Sequence, residues 1–316
     1  MTHRKKISLL IPAYNEQEVL QHLYERLNKL AGQTPHYDFE FLFVNDGSRD
    51  KTLEIIKGFA ASDHRIAYVN LSRNFGKETA MLAGLDHVTG DATVIIDADL
   101  QDPPELIPQM IAFWEEGYDD IYAKRRSRAG EGWFKKITSE LFYKILQKST
   151  NIPIQRDTGD FRLLSLRCVE ALRQFRESQR YTKGMFSWIG YKKKEMLYSR
   201  DPRAAGETKW NYLKLVNLAI DGITSFTTAP LRVSSVFGMI ISIASFIYIL
   251  FLVIRTTFYG SDLAGYPSMM AVILFLGGIQ LLSLGVIGEY IGRIFNETKN
   301  RPLYFVEEYY RSGDQK

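Results

Sequence analysis

Two carboxylates separated by a single residue, Asp97 and Asp99, are the side chains of this sequence best suited to chemistry. They directly follow the short apolar segment 93–96, which predicts a buried strand. Carboxylates held at the end of a strand can approach one divalent ion, and Mg²⁺ and Mn²⁺ prefer oxygen ligands. In a reaction with a diphosphate leaving group, such an ion would neutralise the negative charge of that group as it departs. Taken alone, an Asp-x-Asp pair is as compatible with a surface turn as with a metal site.

Two further polar clusters follow predicted strands. Asn45, Asp46, Gly47 and Ser48 come after segment 39–44, and they fit either a turn with Asp50 capping the next helix or a site where Asp46 accepts a hydrogen bond from a base or ribose.

The third cluster, residues 73–78, follows segment 66–71. Its Gly76 and Lys77 could place backbone N–H groups and an ammonium near a diphosphate, although a plain helix start is an equal alternative.

The elements that must position these clusters alternate along the first part of the chain. Short apolar runs at 7–11, 39–44, 66–71, 93–96 and 120–123 predict strands, and the stretches beginning near Glu16, Asp50, Lys77 and Pro104 predict helices. This alternation is typical of βαβ units and a mostly parallel sheet, in an α/β fold. Ligands of such sheets bind beyond the carboxyl ends of the strands, where all the polar clusters fall.

Composition limits the class of protein. The chain has 316 residues, of which 46% are hydrophobic and 24% charged, and a formal charge of +4 that fits phosphate-rich ligands or an anionic membrane surface. No DNA- or RNA-binding pattern accompanies that charge, so nucleic acid is not expected as a partner. The single cysteine, Cys168, excludes an internal disulfide and a cysteine-based zinc site. A reducing compartment is favoured.

The last third of the chain predicts membrane insertion. Segments of about 231–254 and 268–292 are apolar and long enough to span the hydrocarbon core of about 30 Å. Basic residues flank the outer ends of both, which places the two ends in the cytosol by the positive-inside rule. Before them, residues 211–226 predict an amphipathic helix that lies either in the membrane interface or on the first domain.

Features within the second span predict how it packs. Gly278, Gly285 and Gly292 share one helix face and would permit close packing within or between hairpins, and hence a homo-oligomer. We expect Glu289 to pair with Arg293 one turn later. The predicted organisation is a catalytic domain over 1–208, a juxtamembrane helix over 209–229, two transmembrane helices over 230–293 and a cytosolic tail over 294–316.

The motifs together resemble those of family 2 glycosyltransferases. The resemblance is carried by the order and spacing of residues 11–16, 44–48, 74–77 and 97–103, and it extends over essentially the whole chain. Residues 159–163, residues 206–210 and the two spans narrow it to the polyisoprenyl-phosphate glycosyltransferases, which include bactoprenol glucosyltransferases and are close to dolichyl-phosphate mannose synthases. One departure is Thr208, where the family often has serine; the hydroxyl is kept.

The resemblance implies a GT-A fold, cytosolic catalysis at the inner membrane, inversion at the anomeric carbon, a Mg²⁺ or Mn²⁺ cofactor, a UDP-sugar donor and a polyisoprenyl phosphate acceptor. It implies that the metal is held by Asp97, Asp99 and Gln101, and that the lipid phosphate meets Arg125, Lys135 and Ser139. It also implies that the nucleotide-sugar is bound by Pro12, Ala13, Tyr14, Glu16, Asp46, Gly76, Lys77, Asp97 and Ala98.

The catalytic candidates are Asp99, Asp160, Arg200 and Arg203. A phosphate monoester is already an anionic nucleophile at neutral pH, so a strong general base would contribute little. We therefore expect Asp160 to orient the sugar or to steer Arg162; a helix cap paired with Arg162 is the alternative. Arg200 and Arg203 would clamp a diphosphate or the lipid phosphate, or else meet the membrane surface.

Other functions fit less well. A processive polysaccharide synthase requires a Gln-x-x-Arg-Trp motif and more spans, and this sequence has neither. A non-catalytic membrane scaffold would not need Asp97, Asp99 and Gln101. The sugar is open: glucose from UDP-glucose is favoured by the resemblance, and mannose from GDP-mannose and a modified arabinose are alternatives.

Overall fold

A computed structural model describes residues 4–125, 158–198, 227–259 and 265–312. The chain divides into two compact units. The first comprises Met1–Ala219 together with Pro302–Lys316, and the second comprises Ile220–Arg301. The predicted helix at 211–226 lies outside the described residues, as do Lys135, Ser139, Arg200 and Arg203.

The first unit is an α/β fold built on one eight-stranded sheet. In chain order its strands are β1 Lys6–Ala13, β2 Asp38–Asn45, β3 Ile66–Leu71, β4 Ala92–Ile95, β5 Asp120–Arg125, β6 Thr158–Ser165, β7 Lys193–Tyr198 and β8 Val306–Arg311. Its helices are α1 Leu20–Gln33, α2 Thr52–Ser62, α3 Lys77–His87, a 3₁₀ turn at Pro104–Leu106, α4 Ile107–Glu115, α5 Leu166–Arg173 and α6 Thr182–Trp188.

The sheet is mixed and mostly parallel. The strand order is β7-β5-β6-β4-β1-β2-β3-β8, in which β6 and β8 run antiparallel to their neighbours. β1 is central and pairs in parallel with both β2 and β4. Its residues Ile7, Leu9, Leu10 and Ile11 are fully buried, on both faces of the sheet. Burial on both faces explains why this strand reads as a continuous apolar run.

Helix α1 shows how the layers around the sheet are held. Its buried residues Leu20, Leu23, Leu27 and Leu30 recur at three- and four-residue spacing, which forms one apolar stripe against the core. The helix begins four residues later than expected, because residues 17–19 form a turn first.

All five predicted strands are confirmed at nearly the predicted bounds.

Three strands were not predicted. β6 inserts antiparallel between β4 and β5, so Gly159 and Asp160 lie in a strand, and helix α5 begins at Leu166. β7 and β8 are the two edges of the sheet and are rich in charge. Charged side chains protect sheet edges from aggregation and also weaken the apolar signature of a strand.

Strand β8 places part of the expected tail in the sheet of the first unit. It pairs with β3, and Tyr310 stacks on Tyr68 with ring centroids 5.5 Å apart. The buried carboxylate of Glu40 lies 2.8 Å from the guanidinium of Arg311. Burial would raise the pKa of Glu40, but hydrogen bonding from Ser8 and the charge of Arg311 outweigh it, and the pKa lies below its usual value. This ion pair links β8 to β2.

The second unit contains two long helices, α7 Ala229–Tyr259 and α8 Tyr266–Thr298. Each includes an apolar stretch long enough to cross a membrane, Ala229–Tyr248 and Phe275–Thr298, neither of which is buried within the protein. Arg293 lies 2.8 Å from Glu289, as predicted. The Tyr290 hydroxyl donates to the carbonyl of Thr227 at 2.6 Å and links the helix to the segment before α7.

Candidate active site at the carboxyl edge of the sheet

The polar clusters after β1, β2, β3 and β4 form one connected set of loops. The parallel register of β1 with β2 pairs Ala13 with Asn45, so the two strands end side by side. The N–H of Asn15 donates to Oγ of Ser48 at 3.0 Å, and the N–H of Glu16 donates to Oγ1 of Thr52 at 2.8 Å. These bonds fix the loop after β1 against the loop after β2.

Asp46 holds the loop after β3. Its Oδ1 accepts the N–H of Phe75 at 2.7 Å, and its Oδ2 accepts the N–H of Gly76 at 2.9 Å. Burial raises the pKa of Asp46 even though these two hydrogen bonds oppose the shift. The N–H of Gly76, which was predicted to face a diphosphate, is therefore engaged by Asp46.

Two glycines allow these loops to meet. Gly47 has a φ of +63°, and a Cβ at this position would lie 2.4 Å from the carbonyl carbon of Arg73 and 2.5 Å from the nitrogen of Asn74. Gly76 has a φ of +94° and immediately precedes α3. Side chains are excluded at Gly47 by contact with backbone and are strained at Gly76 by conformation.

Lys77 joins this loop set to the acidic motif and to β6. Its Nζ lies 2.7 Å from Oδ1 of Asp97 and 2.6 Å from Oδ2 of Asp160. Burial would lower the pKa of Lys77, but the charges of the two carboxylates raise it above its usual value. Burial would likewise raise the pKa of Asp160, but the Lys77 charge and hydrogen bond lower it. Lys77 and Asp160 are therefore both charged at neutral pH.

The acidic motif lies in a tight turn after β4. Oδ1 of Asp99 accepts the N–H of Gln101 at 3.1 Å, and Leu100 adopts a φ of +61°. Asp97 and Asp99 are partly exposed, whereas Ala98, Leu100 and Gln101 are buried. The turn thus presents two carboxylates and anchors the residues between and after them.

The chemistry of this motif fits a divalent ion. Among the described residues no three His, Cys, Asp or Glu side chains form a group that could hold a metal, so this part of the chain would supply the two carboxylates Asp97 and Asp99. Mg²⁺ sites commonly combine one or two carboxylates with substrate phosphates and water. Asp97 and Asp99 match that pattern.

The remaining predicted residues lie around this centre. Pro12 and Ala13 end β1, Tyr14 is 42% exposed beyond it, and Arg125 ends β5. Arg162 is fully buried and lies 3.2 Å from Asp120 on β5, with its guanidinium over the ring of Phe186. Asp160 lies in a strand beside Lys77, so the alternative that placed it at a helix cap is wrong.

Two residues that support the site, Glu78 and Tyr198, were not predicted from the sequence. Glu78 follows Lys77, and its Oε2 accepts the N–H of Thr182 at 3.2 Å. Burial, with a contribution from the charge of Asp160, raises the pKa of Glu78 to about 7. The Tyr198 hydroxyl donates to Oδ1 of Asp102 at 2.7 Å and ties β7 to the acidic turn. An acidic residue directly after Gly76-Lys77 was the available signal for Glu78; Tyr198 had none.

Comparisons with known proteins agree with this architecture. The profile of glycosyl transferase family 2 matches residues 8–173, and the profile of the GtrB C-terminal hairpin matches residues 229–294. The chain is 51% identical over 304 residues to an uncharacterized glycosyltransferase of Synechocystis sp., covering 96% of this chain and 95% of the relative. It is 46% identical over 302 residues to the bactoprenol glucosyl transferase of Shigella phage SfX, covering 96% and 99%.

A putative glycosyltransferase of Bacillus subtilis is 44% identical over 302 residues, which cover 96% of this chain and 91% of the relative. These likenesses include both the sheet with its polar edge and the paired apolar helices, and the second unit is associated with membranes. The chain belongs to glycosyl transferase family 2 and carries a GtrB-type C-terminal hairpin.

Proposed function

We propose that this protein transfers glucose from UDP-glucose to a polyprenyl phosphate at the cytosolic face of the inner membrane. The observation that carries the proposal is that the likeness to a bactoprenol glucosyl transferase covers 99% of that relative, hairpin included. A lipid acceptor explains why a nucleotide-sugar enzyme would carry two membrane helices.

The reaction needs a nucleophile, a leaving group and charge stabilisation. A phosphate oxygen of the acceptor attacks the anomeric carbon, the bond from that carbon to the diphosphate of UDP breaks, and UDP departs with the electron pair. Attack opposite to the leaving group inverts the anomeric configuration. Because the acceptor phosphate is mostly dianionic at neutral pH, no proton has to be removed first.

Charge at the site would stabilise the departing diphosphate. Asp97 and Asp99, with Gln101, would hold a Mg²⁺ or Mn²⁺ ion, which supplies Lewis-acid stabilisation of the leaving group when bound. Lys77 adds a fixed positive charge beside Asp97. Preorganised charges of this kind commonly provide the largest part of catalysis.

Asp160 serves in this account as a positioning residue. Its carboxylate lies 2.6 Å from the ammonium of Lys77, and its lowered pKa keeps it ionised. It would hold Lys77 toward the acidic turn rather than accept a proton. Arg125, Lys135, Ser139, Arg200 and Arg203 remain proposed contacts of the lipid phosphate and diphosphate.

A panel of donors tests the proposal. Purified full-length protein in detergent is incubated with undecaprenyl phosphate and radiolabelled UDP-glucose, GDP-mannose or a UDP-aminoarabinose derivative, with Mg²⁺ or with EDTA. We expect label in the organic phase from UDP-glucose and in the presence of the metal. Transfer from GDP-mannose alone would show that the transferred sugar is mannose and not glucose. Absence of lipid product from every donor would refute the proposal.

A further inference from the structure

A chain of side-chain amides connects the last strand to the loop after β2. Nδ2 of Asn70 donates to Oε2 of Glu307 at 3.0 Å, and Nδ2 of Asn45 donates to Oδ1 of Asn70 at 2.7 Å. Oδ1 of Asn45 then accepts the N–H of Ser48 at 3.4 Å. The three links cross from β8 through β3 to β2 and end in the loop that carries Asp46.

A bulge in β8 aims Glu307 at this chain. Asn70 pairs with Glu308, whereas Leu71 pairs with Val306, so Glu307 is an extra residue on β8. An extra residue of this kind redirects a side chain that would otherwise point to the other face. The bulge thus lies at the residue whose carboxylate accepts the hydrogen bond from Asn70.

The chemistry of Glu307 sets the direction of every link. An ionised carboxylate only accepts hydrogen bonds, so it draws the NH₂ group of Asn70 toward itself and leaves the Asn70 oxygen facing Asn45. The NH₂ group of Asn45 is then drawn to Asn70, and its oxygen faces the N–H of Ser48. Without an acceptor at residue 307 both amides could rotate, and an NH₂ group would face that N–H.

The two asparagine amides in this series of hydrogen bonds are buried. Asn45 is 1% exposed and Asn70 is 5% exposed, so little water reaches the two amides, whereas Glu307 at the start of the series is exposed. A buried polar network of this kind is stable when every member is satisfied and costly when one is not. Ser48 also accepts the N–H of Asn15 on its hydroxyl, which extends the effect to the loop after β1.

From these contacts we propose that Glu307 is a positioning residue for the donor site: it fixes the orientation of Asn70 and Asn45 and thereby the loop at residues 45–48. The catalytic consequence rests on the proposed function, in which that loop binds the nucleoside. The C-terminal segment beyond the hairpin would then contribute to donor affinity without touching the donor.

Three variants of the full-length protein test this. Glu307→Ala removes the acceptor, Glu307→Gln keeps an acceptor oxygen, and Glu308→Ala is the matched control. Glu308 is the next residue of β8 and the cross-strand partner of Asn70, but its carboxylate accepts from the Tyr68 hydroxyl at 2.6 Å and from Lys57 rather than from the side-chain amides of Asn70 and Asn45. Both alanine variants remove one carboxylate from the same strand.

Hydrogen exchange in the absence of nucleotide is the first readout. We expect Glu307→Ala to raise exchange in peptides covering residues 45–49 by about fivefold, since a hydrogen bond to a charged group is lost. Glu308→Ala should match the wild type there, whereas Glu307→Gln should fall between the wild type and Glu307→Ala, because its NH₂ group can also donate to the Asn70 oxygen and allow the rotated arrangement. Peptides covering residues 66–71 report that β8 remains paired in all variants.

UDP binding by calorimetry is the second readout, and we expect about fivefold weaker binding for Glu307→Ala alone. Equal exchange at 45–49 in the two alanine variants, or wild-type exchange in Glu307→Ala, would overturn the inference. Exchange needs no donor, so a wild type that fails to bind UDP would refute the proposed function while the exchange result still decides the role of Glu307.

Discussion

The ammonium of Lys77 at the start of α3 lies 2.6 Å from a carboxylate oxygen of Asp160 on β6. The same ammonium is 2.7 Å from Asp97. A single positive charge therefore joins the loop after β3, the acidic turn after β4 and an antiparallel strand that was not predicted. Under the proposed function this charge lies beside the departing diphosphate, and each of the residues can be tested.

Replacing Lys77 should impair catalysis more than binding. We expect Lys77→Met to lower kcat by about 100-fold, because a preorganised charge near the leaving group is lost. Lys57→Met is the control, since Lys57 forms an ion pair with Glu308 away from the site. Steady-state kinetics with UDP-glucose and undecaprenyl phosphate provide the measurement. A kcat within twofold of the wild type would exclude Lys77 from charge stabilisation.

Asp160→Asn should lower activity by the same factor at every pH from 6 to 8. The pKa of Asp160 is depressed, so the ion pair with Lys77 is complete above the usual range of a carboxyl and is lost only as the pH falls through the folded-state pKa. The wild-type profile should show no rising limb from Asp160 in that window. A defect that grows with pH would instead identify Asp160 as a general base.

Glu78→Gln should stabilise the protein at alkaline pH. The pKa of Glu78 is about 7, above its unfolded value, so the folded state holds the proton more tightly and stability falls as the pH rises between about 4.5 and 7. Glutamine is never charged and retains an oxygen for the N–H of Thr182. We expect a gain of about 1–2 kcal/mol at pH 8, reduced by solvent screening.

Thermal unfolding at pH 5 and pH 8 measures this effect. The difference in Tm between Glu78→Gln and the wild type should widen with pH, while exposed Glu54→Gln on α2 should show no such trend. A constant difference across the range would contradict the raised pKa of Glu78.

Gly47→Ala should disrupt the site, because its Cβ would lie 2.4 Å from the backbone of Arg73 at a φ of +63°. We expect a destabilisation of about 1–3 kcal/mol and loss of donor binding. Gly58→Ala on α2 meets nothing within 4 Å and should be neutral or stabilising by up to about 1 kcal/mol. Chemical denaturation and UDP calorimetry distinguish the two; equal behaviour would rule out the close approach of the loops.

The sequence predicted the parallel half of the fold well. The strands β1 to β5 are buried apolar runs between amphipathic helices, so their periodicity is strong. β7 and β8 carry charged residues at the sheet edges, and residues 126–157 separate β6 from β5 in the sequence. These three strands are therefore defined by pairing across the sheet rather than by local pattern. The pairing of Glu289 with Arg293 was predictable because both lie on one helix turn.

The candidate site could be predicted in part. Asp97 and Asp46 each follow an apolar run that predicts a parallel strand. The carboxyl ends of parallel strands lie at one edge of a sheet, so the local pattern alone indicates that the two residues are near each other. The Lys77–Asp160 pair could not be foreseen, since it depends on the antiparallel placement of β6 beside β4. The support from Tyr198 and Glu307 likewise depends on tertiary contacts between distant segments.

The most direct test of the central claim is whether the acceptor is a polyprenyl phosphate. Purified full-length protein is incubated with UDP-glucose and Mg²⁺ in liposomes with or without undecaprenyl phosphate, and lipids are analysed by mass spectrometry. We predict undecaprenyl phosphate carrying one hexose, formed only when the acceptor is present and abolished by Asp99→Asn. Hydrolysis of UDP-glucose without any hexosylated lipid, in protein that binds UDP, would contradict it.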